Sequence, residues 1–238
     1  LAKSRLIAGS KKVIVSAPFK NDNGSVDIDG KAIKTKTLVI GVNDSEYTDE
    51  SIVSNGSCTT NCVTPLLYVL NNEFGILKSM MSTIHSFTAS QVLHDSPAKE
   101  MRESRAATLN LIPTTTGAAK AVSLAIPEMK DKFVGLSIRI PTPVVSIVDL
   151  TAVLAKKVDI QSLDRAFGEA SKSSRFEKLI TIAEEDTTST DIIGNSASAI
   201  VDLGLTQVVD GDLIKIVAWY DNEWGYSNRL VELCEFIG

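Results

Sequence analysis

The sequence predicts a mixed α/β chain in two unequal parts: the tail of a parallel βαβ sheet, then a mostly antiparallel α+β unit. Three observations carry that prediction. Two short β-branched runs, 12–18 and 37–42, each end in turn residues, and a helical segment at 1–9 precedes them. A stretch rich in Ser, Thr, Asn and Gly follows at 54–62, and Cys62, Leu66, Val69 and Leu70 then fall at helical spacing. Downstream, strand candidates cluster with few helices between them, and Asp210-Gly211 supplies a hairpin turn.

The elements follow in order. Residues 1–9 read as the end of a helix stopped at Gly9, with Lys11 and Lys12 beyond it. The run 12–18 is a buried strand ended by Pro18, 21–25 a dense turn cluster, and 27–36 a surface excursion. The run 37–42 is a second buried strand, closed by Asn43-Asp44-Ser45. A helix starts within 54–62, and Pro65 suits its first turn better than its interior. Residues 75–88 form a long strand and 89–105 a polar loop. Helices are expected at 116–126, 160–171 and, closing the chain, 223–236; strands at 134–140, 144–156, 179–184, 199–207 and 212–220. The opening of the parallel sheet is missing. The chain begins at Leu1 with neither Met nor the apolar core of a signal peptide, so a portion is expected upstream.

Composition excludes several classes. With 238 residues and 44% hydrophobic side chains the chain is globular, and its 22% charged residues include no low-complexity tract. The 24 Lys and Arg against 29 Asp and Glu give a net charge of −5, unlike a nucleic-acid-binding surface. No stretch approaches the roughly 18 unbroken apolar residues of a membrane span. Three cysteines argue against a disulfide scaffold and for a reducing compartment, the cytoplasm. Cys58 and Cys62 lack a second pair, since only Cys234 is left, so no zinc site is expected.

Cys58 has the most informative setting. Hydroxyls at Ser57, Thr59 and Thr60 flank it, and it stands at or just before a helix start. Helix N-termini favour anions, so a thiolate there would have a depressed pKa and be nucleophilic at neutral pH. Equally, cysteine is a common buried hydrophobe and oxygens cap helices everywhere; taken alone, this segment favours that plainer reading. His85 lies near a strand end, and His94 in the polar loop is the other histidine. Together Cys58 and His85 suit an activated nucleophile, although spacing alone does not show that they meet.

A third set favours oxyanions. The segment 113–120 places Thr116 and Gly117 at a helix start. Ser57, Thr59, Thr88 and Ser90 add hydroxyls, and Arg102, Arg105 and Arg139 could add charge, pointing to a phosphorylated substrate. Finally, 219–227 gathers both tryptophans and two tyrosines, which suits either core packing or a flat ligand such as a nicotinamide.

Five motifs together resemble the phosphorylating glyceraldehyde-3-phosphate dehydrogenases. They are Ser54-Asn55-Gly56-Ser57-Cys58-Thr59-Thr60-Asn61-Cys62, the histidine segment 83–91, the segment 112–122, Arg139-Ile140-Pro141-Thr142-Pro143, and 219–227. They occur in the family's order and cover nearly the whole chain from Lys11. The resemblance implies a C-terminal remnant of a Rossmann NAD-binding domain (1–57), a complete catalytic domain with a mostly antiparallel mixed sheet and flanking helices (58–222), and a C-terminal helix (223–238) packing back on the first. It implies that Cys58 attacks the aldehyde carbon and that His85 raises the thiolate fraction and acts as acid/base. It also assigns Thr88, Ser90 and Arg139 to the substrate phosphate, and Ser57, Thr59, Thr116 and Gly117 to inorganic phosphate. Asn222, Tyr226 and Ser16 would face NAD or NADP. The loop 89–105 resembles the family's S-loop and implies a homotetramer.

There are departures. The glycine fingerprint and the ribose-binding acid of a Rossmann domain are absent; Ser90 stands where Thr or Asp is usual, and Gly56 where Ala is common. An erythrose-4-phosphate dehydrogenase ranks lower because the Thr-Gly-Ala-Ala-Lys segment is intact. A Cys/His hydrolase lacks an assignable Asn or Asp partner, and a non-catalytic scaffold would be expected to lose Cys58 or His85.

Overall fold

In the computed structural model, residues 2–19, 24–184 and 186–238 are described. Helix α1 (Ala2–Ile7) leads into strand β1 (Val13–Val15); β2 (Ser25–Ile28) and β3 (Lys31–Thr37) form a hairpin, and β4 (Ile52–Ser54) follows. These strands make a four-stranded sheet in the order β1-β4-β3-β2, with β1 and β3 parallel to β4. The expected surface excursion at 27–36 is therefore mostly sheet. The turn cluster 21–25 lies largely outside the described residues.

The second predicted strand, 37–42, is corrected. Strand β3 ends at Thr37, and the chain turns away with the amides of Val42 and Asn43 both reaching the Val39 carbonyl. Asn43 takes over the role of a neighbouring strand: its Oδ1 accepts from Val39 N and its Nδ2 donates to Thr37 O. The apolar run signalled burial rather than extension. Leu38 packs with Val53 and with Leu233 and Ile237 near the C-terminus, whereas Val39 joins the main core.

Helix α2 (Cys58–Phe74) begins at the nucleophile candidate and runs under an eight-stranded sheet. The sheet contains β5 (Ile76–Ser86), β6 (Ile112–Thr115), β7 (Phe133–Ile140), β8 (Ser146–Leu154), β9 (Ile180–Ile182), β10 (Ala199–Val201), β11 (Gln207–Val209) and β12 (Leu213–Tyr220). Its order is β6-β7-β5-β8-β12-β10-β9, with β11 paired to β12. Only β5–β7 and β9–β10 are parallel, as the mostly antiparallel prediction requires. The Asp210-Gly211 turn joins β11 to β12 as an antiparallel hairpin. Strand β6 is an addition to the expected elements; it lies at the sheet edge, where a proline such as Pro113 is tolerated.

Three further helices complete the chain: α3 (Ala118–Ala125), α4 (Ile160–Ala170) and α5 (Trp224–Ile237). One sheet face is covered: Cys62, Leu66 and Leu70 of α2, Val122 of α3 and Phe167 of α4 pack with Met81, Val148, Leu150 and Ile216. Pro65 lies inside α2, not in its first turn. Burial on nearly all sides holds α2 together despite the missing N–H, and Thr64 Oγ1 donates to the Thr60 carbonyl one turn back.

Candidate active site

The C-terminal ends of β1 and β4 deliver the first half of the site. Asn55 N donates to Val15 O, and Ser54 Oγ donates to Ala17 O while accepting from Gly56 N. Gly56 has φ +64, and a Cβ there would stand 3.0 Å from the Thr60 methyl, so the tight entry into α2 needs glycine. Ser57 caps the helix by accepting from Thr60 N at 3.1 Å. Cys58 is thus the first residue of α2, among unpaired amides and the positive end of the helix dipole.

Strand β5 delivers the second half. His85 Nε2 lies 3.4 Å from Cys58 Sγ, so the pair that sequence spacing left open does meet. His85 Nδ1 lies 2.8 Å from the Ser86 carbonyl and 2.5 Å from Arg139 Nη1. One nitrogen cannot serve both partners. With its proton donated to Ser86 O, Nε2 is free to accept from the thiol; with Arg139 donating to Nδ1, Nε2 carries a proton and points it at sulfur.

The electrostatics correct one expectation. The amides of Thr59 and Cys58, the Thr59 hydroxyl and Arg139 all favour the thiolate, but burial outweighs them and pushes the Cys58 thiol up, not down. Burial, and next the charge of Arg139, pushes His85 down to about 4. The pair is therefore thiol beside neutral imidazole, and the proton that makes the thiolate must pass between them.

This makes a stability prediction. Because the folded His85 value of about 4 lies below the ordinary 6.5, the unfolded chain takes up a proton first as pH falls. Stability should decrease from pH 6.5 toward pH 4, by about 3 kcal/mol from this residue. His85→Asn should flatten that part of the pH profile in denaturant unfolding.

Around the pair is a hollow of about 210 Å³ lined by Pro18, Ser57, Thr88, Thr116, Gly117 and Arg139 among others. Gly117 precedes α3 and has no side chain to cap it; Thr116 Oγ1 accepts from the Ala118 amide at 3.2 Å. Thr88 is fastened by Gln91, whose Oε1 accepts from both its amide and its hydroxyl. Ser90 is exposed, with Oγ 3.1 Å from Thr88 Oγ1, and Ser16 is exposed just past β1; neither lines the hollow. Arg105 is engaged with Asp95 at the surface and Arg102 lines a different hollow, so of the three arginines only Arg139 lies here.

Beneath the pair, the buried Tyr220 hydroxyl bridges Thr59 Oγ1 at 3.0 Å and Thr83 Oγ1 at 2.9 Å, and its ring meets His85 edge-on. Asn222 Oδ1 accepts from Ser86 Oγ at 2.9 Å and Ser146 Oγ at 3.0 Å, which fixes the amide and leaves Nδ2 as its free donor. Val145, buried and β-branched, adopts φ +68 immediately before Ser146. Strain of that kind persists where surrounding contacts fix a side chain. Tyr226 donates to Gly56 O at 3.1 Å. Sequence reading gave no role to Gln91, Ser86, Ser146 or Tyr220. Ser86 adjoins His85 and Tyr220 lies in the aromatic cluster, whereas Ser146 has no local signal.

Fold and site define a thiol–imidazole centre at a helix N-terminus, opening on a hollow lined by threonines, Gly117 and Arg139. A family model, glyceraldehyde 3-phosphate dehydrogenase, C-terminal domain, matches residues 57–222. The whole chain is 46% identical to a glyceraldehyde-3-phosphate dehydrogenase of Mycobacterium tuberculosis H37Rv, covering 66% of that protein. Over 99% of its length it is 44% identical to one from Geobacillus stearothermophilus, covering 67% of that protein. The chain belongs to the glyceraldehyde 3-phosphate dehydrogenase family and spans about two thirds of the length of these relatives.

Proposed function

We propose that this chain is the catalytic part of a phosphorylating glyceraldehyde-3-phosphate dehydrogenase, converting D-glyceraldehyde 3-phosphate and inorganic phosphate to 1,3-bisphosphoglycerate in glycolysis. The carrying observation is the 3.4 Å approach of Cys58 Sγ to His85 Nε2 beside Arg139 and the α3 N-terminus. In this reading Cys58 passes its proton to His85 and attacks the aldehyde carbon. The Cys58 amide and His85 hold the developing oxyanion. His85 returns that proton to the oxyanion, making the hydroxyl of a thiohemiacetal, and takes it back as hydride leaves, giving a thioester on Cys58. Phosphate then attacks the thioester carbon and the thiolate departs, which preserves the oxidation energy in an acyl phosphate.

A nicotinamide dinucleotide, NAD or NADP, would accept the hydride when bound. The residues present fit it: Asn222 offers a single oriented donor, Nδ2, suited to a carboxamide oxygen, and Tyr226 is fixed beside it in the sequence motif. Ser16 is proposed on the cofactor side, Thr88, Ser90 and Arg139 for the substrate phosphate, and Ser57, Thr59, Thr116 and Gly117 for inorganic phosphate. The proposed division is 1–57 for the dinucleotide domain, 58–222 for catalysis and 223–238 for a helix returning to the first part. The packing of Leu233 and Ile237 on Leu38 and Val53 supports it. The functional test is nicotinamide reduction by the full-length protein. Reduction should require both aldehyde and phosphate, and phosphate-independent turnover to free acid would contradict the reading.

The proposed assembly is a homotetramer in the cytoplasm. Support comes from the uncovered sheet face, where Met80 and Val134 are 60% and 61% exposed and Leu136 lies beside them. Leu93, Met101, Leu109 and Leu111 are also exposed along the loop before β6. Met80→Lys with Val134→Lys should shift the sedimentation of the full-length protein to smaller species. Unchanged sedimentation would place the contact elsewhere. No helix among the described residues is long and apolar enough to cross a membrane.

A further inference from the structure

Strand β7 alternates cleanly between its two faces. Val134 and Leu136 point to the open side, while Phe133, Gly135, Ser137 and Arg139 point to the covered side and toward the site. Ser137 is 2% exposed, lines the same hollow as Cys58, and its Oγ has no hydrogen-bond partner among the described residues. Arg139 Nε, two residues along the same face, is also buried and unpartnered. Of the hydroxyls nearby, Thr59 and Thr83 are engaged with Tyr220, and Ser86 and Ser146 with Asn222, while Thr116 Oγ1 accepts from the Ala118 amide. Arg139 Nη1 is turned to His85 and the Ser86 carbonyl, so the guanidinium edge left over is the Nε edge.

Gly135 brings the third wall close. A Cβ there would lie 2.9 Å from Met81 Cε and 3.2 Å from the Thr116 methyl, so its absence lets the start of α3 approach this part of β7. Buried polar groups without partners are uncommon, and two such donors on residues that line one hollow point to an acceptor that both could meet. An oxyanion with two oxygens on one side satisfies both at once.

We propose that Ser137 is a further phosphate-binding residue, its Oγ donating beside Arg139 Nε to the phosphate group that occupies this pocket. The proposal rests on the phosphate reading above and adds a donor to it. The group is either the phosphate ester of the aldehyde or inorganic phosphate; both present the same oxygens, and kinetics separates them.

The experiment compares Ser137→Ala, Ser137→Thr and Arg139→Lys in the full-length protein, with kcat and KM measured separately against glyceraldehyde 3-phosphate and against inorganic phosphate. Ser137→Ala should raise KM for one of the two by about tenfold, with kcat within about twofold. Ser137→Thr, which keeps the hydroxyl, should restore most of that loss. The KM that moves identifies the phosphate concerned. Unchanged KM values in Ser137→Ala, alongside a raised KM in Arg139→Lys, would overturn the role of Ser137 and leave the pocket standing. Failure of Ser137→Thr to recover the loss would overturn it too, since packing rather than hydrogen bonding would then be the cause. If Arg139→Lys also moved neither KM, the phosphate reading of the pocket would itself fall.

Discussion

Cys58→Ser in the full-length protein should abolish phosphate-dependent aldehyde oxidation, with kcat falling by about 10⁴-fold or more. The loss is large because sulfur performs two tasks that oxygen performs poorly. Burial already pushes the Cys58 thiol up, so the site can form its anion only by handing the proton to an imidazole 3.4 Å away. A serine hydroxyl is a far weaker acid, and the same imidazole could not ionise it to a comparable extent. In the second half-reaction the sulfur must also leave, and an alkoxide is a much poorer leaving group than a thiolate. The other cysteines cannot substitute: Cys62 is buried in the core one turn along α2, and Cys234 is exposed on α5. Absorbance of the reduced nicotinamide checks this, with thermal unfolding as the control for an intact fold.

His85→Asn should lower kcat by about 10²- to 10⁴-fold. Asparagine can keep a hydrogen bond to sulfur but can neither accept its proton nor return one. Because burial and Arg139 hold His85 near 4, the wild-type imidazole is neutral throughout the physiological range and available as a base. The variant should therefore lose the fast alkylation of Cys58 by iodoacetamide near neutral pH and regain it only in more alkaline solution, as an isolated buried thiol would. A variant that reacted as fast as wild type at pH 7 would show that the helix N-terminus alone activates the sulfur.

Much of this site was legible because its parts are sequence-local. The Ser57 cap, the Cys58 start of α2, the end of β5 at His85 and the approach to α3 each follow from a few adjacent residues with definite local preferences. What escaped depends on distant pairings. Burial reversed the expected direction of the Cys58 shift, and the density around a sulfur comes from strands far away in the chain. Ser146 reaches Asn222 across the β8–β12 pairing, and Ser137 shares the pocket with Thr116 only because β7 runs beneath the α3 start. The misread strand at 37–42 has the same cause. Leu38 and Val39 are apolar because two different cores need them, and the Asn43 side chain supplies the hydrogen bonds that a strand would have drawn from a neighbour.

The covalent step can be caught by supplying the full-length protein with glyceraldehyde 3-phosphate and oxidised nicotinamide dinucleotide while withholding phosphate, then quenching in acid and mapping peptides by mass spectrometry. A phosphoglyceroyl group on the Cys58 peptide, discharged when phosphate is added before the quench, is the expected result. Acylation of the Cys62 or Cys234 peptide, or reduced nicotinamide formed in the first turnover with no acyl group on Cys58, would contradict a mechanism in which this sulfur and its neighbouring imidazole do the chemistry.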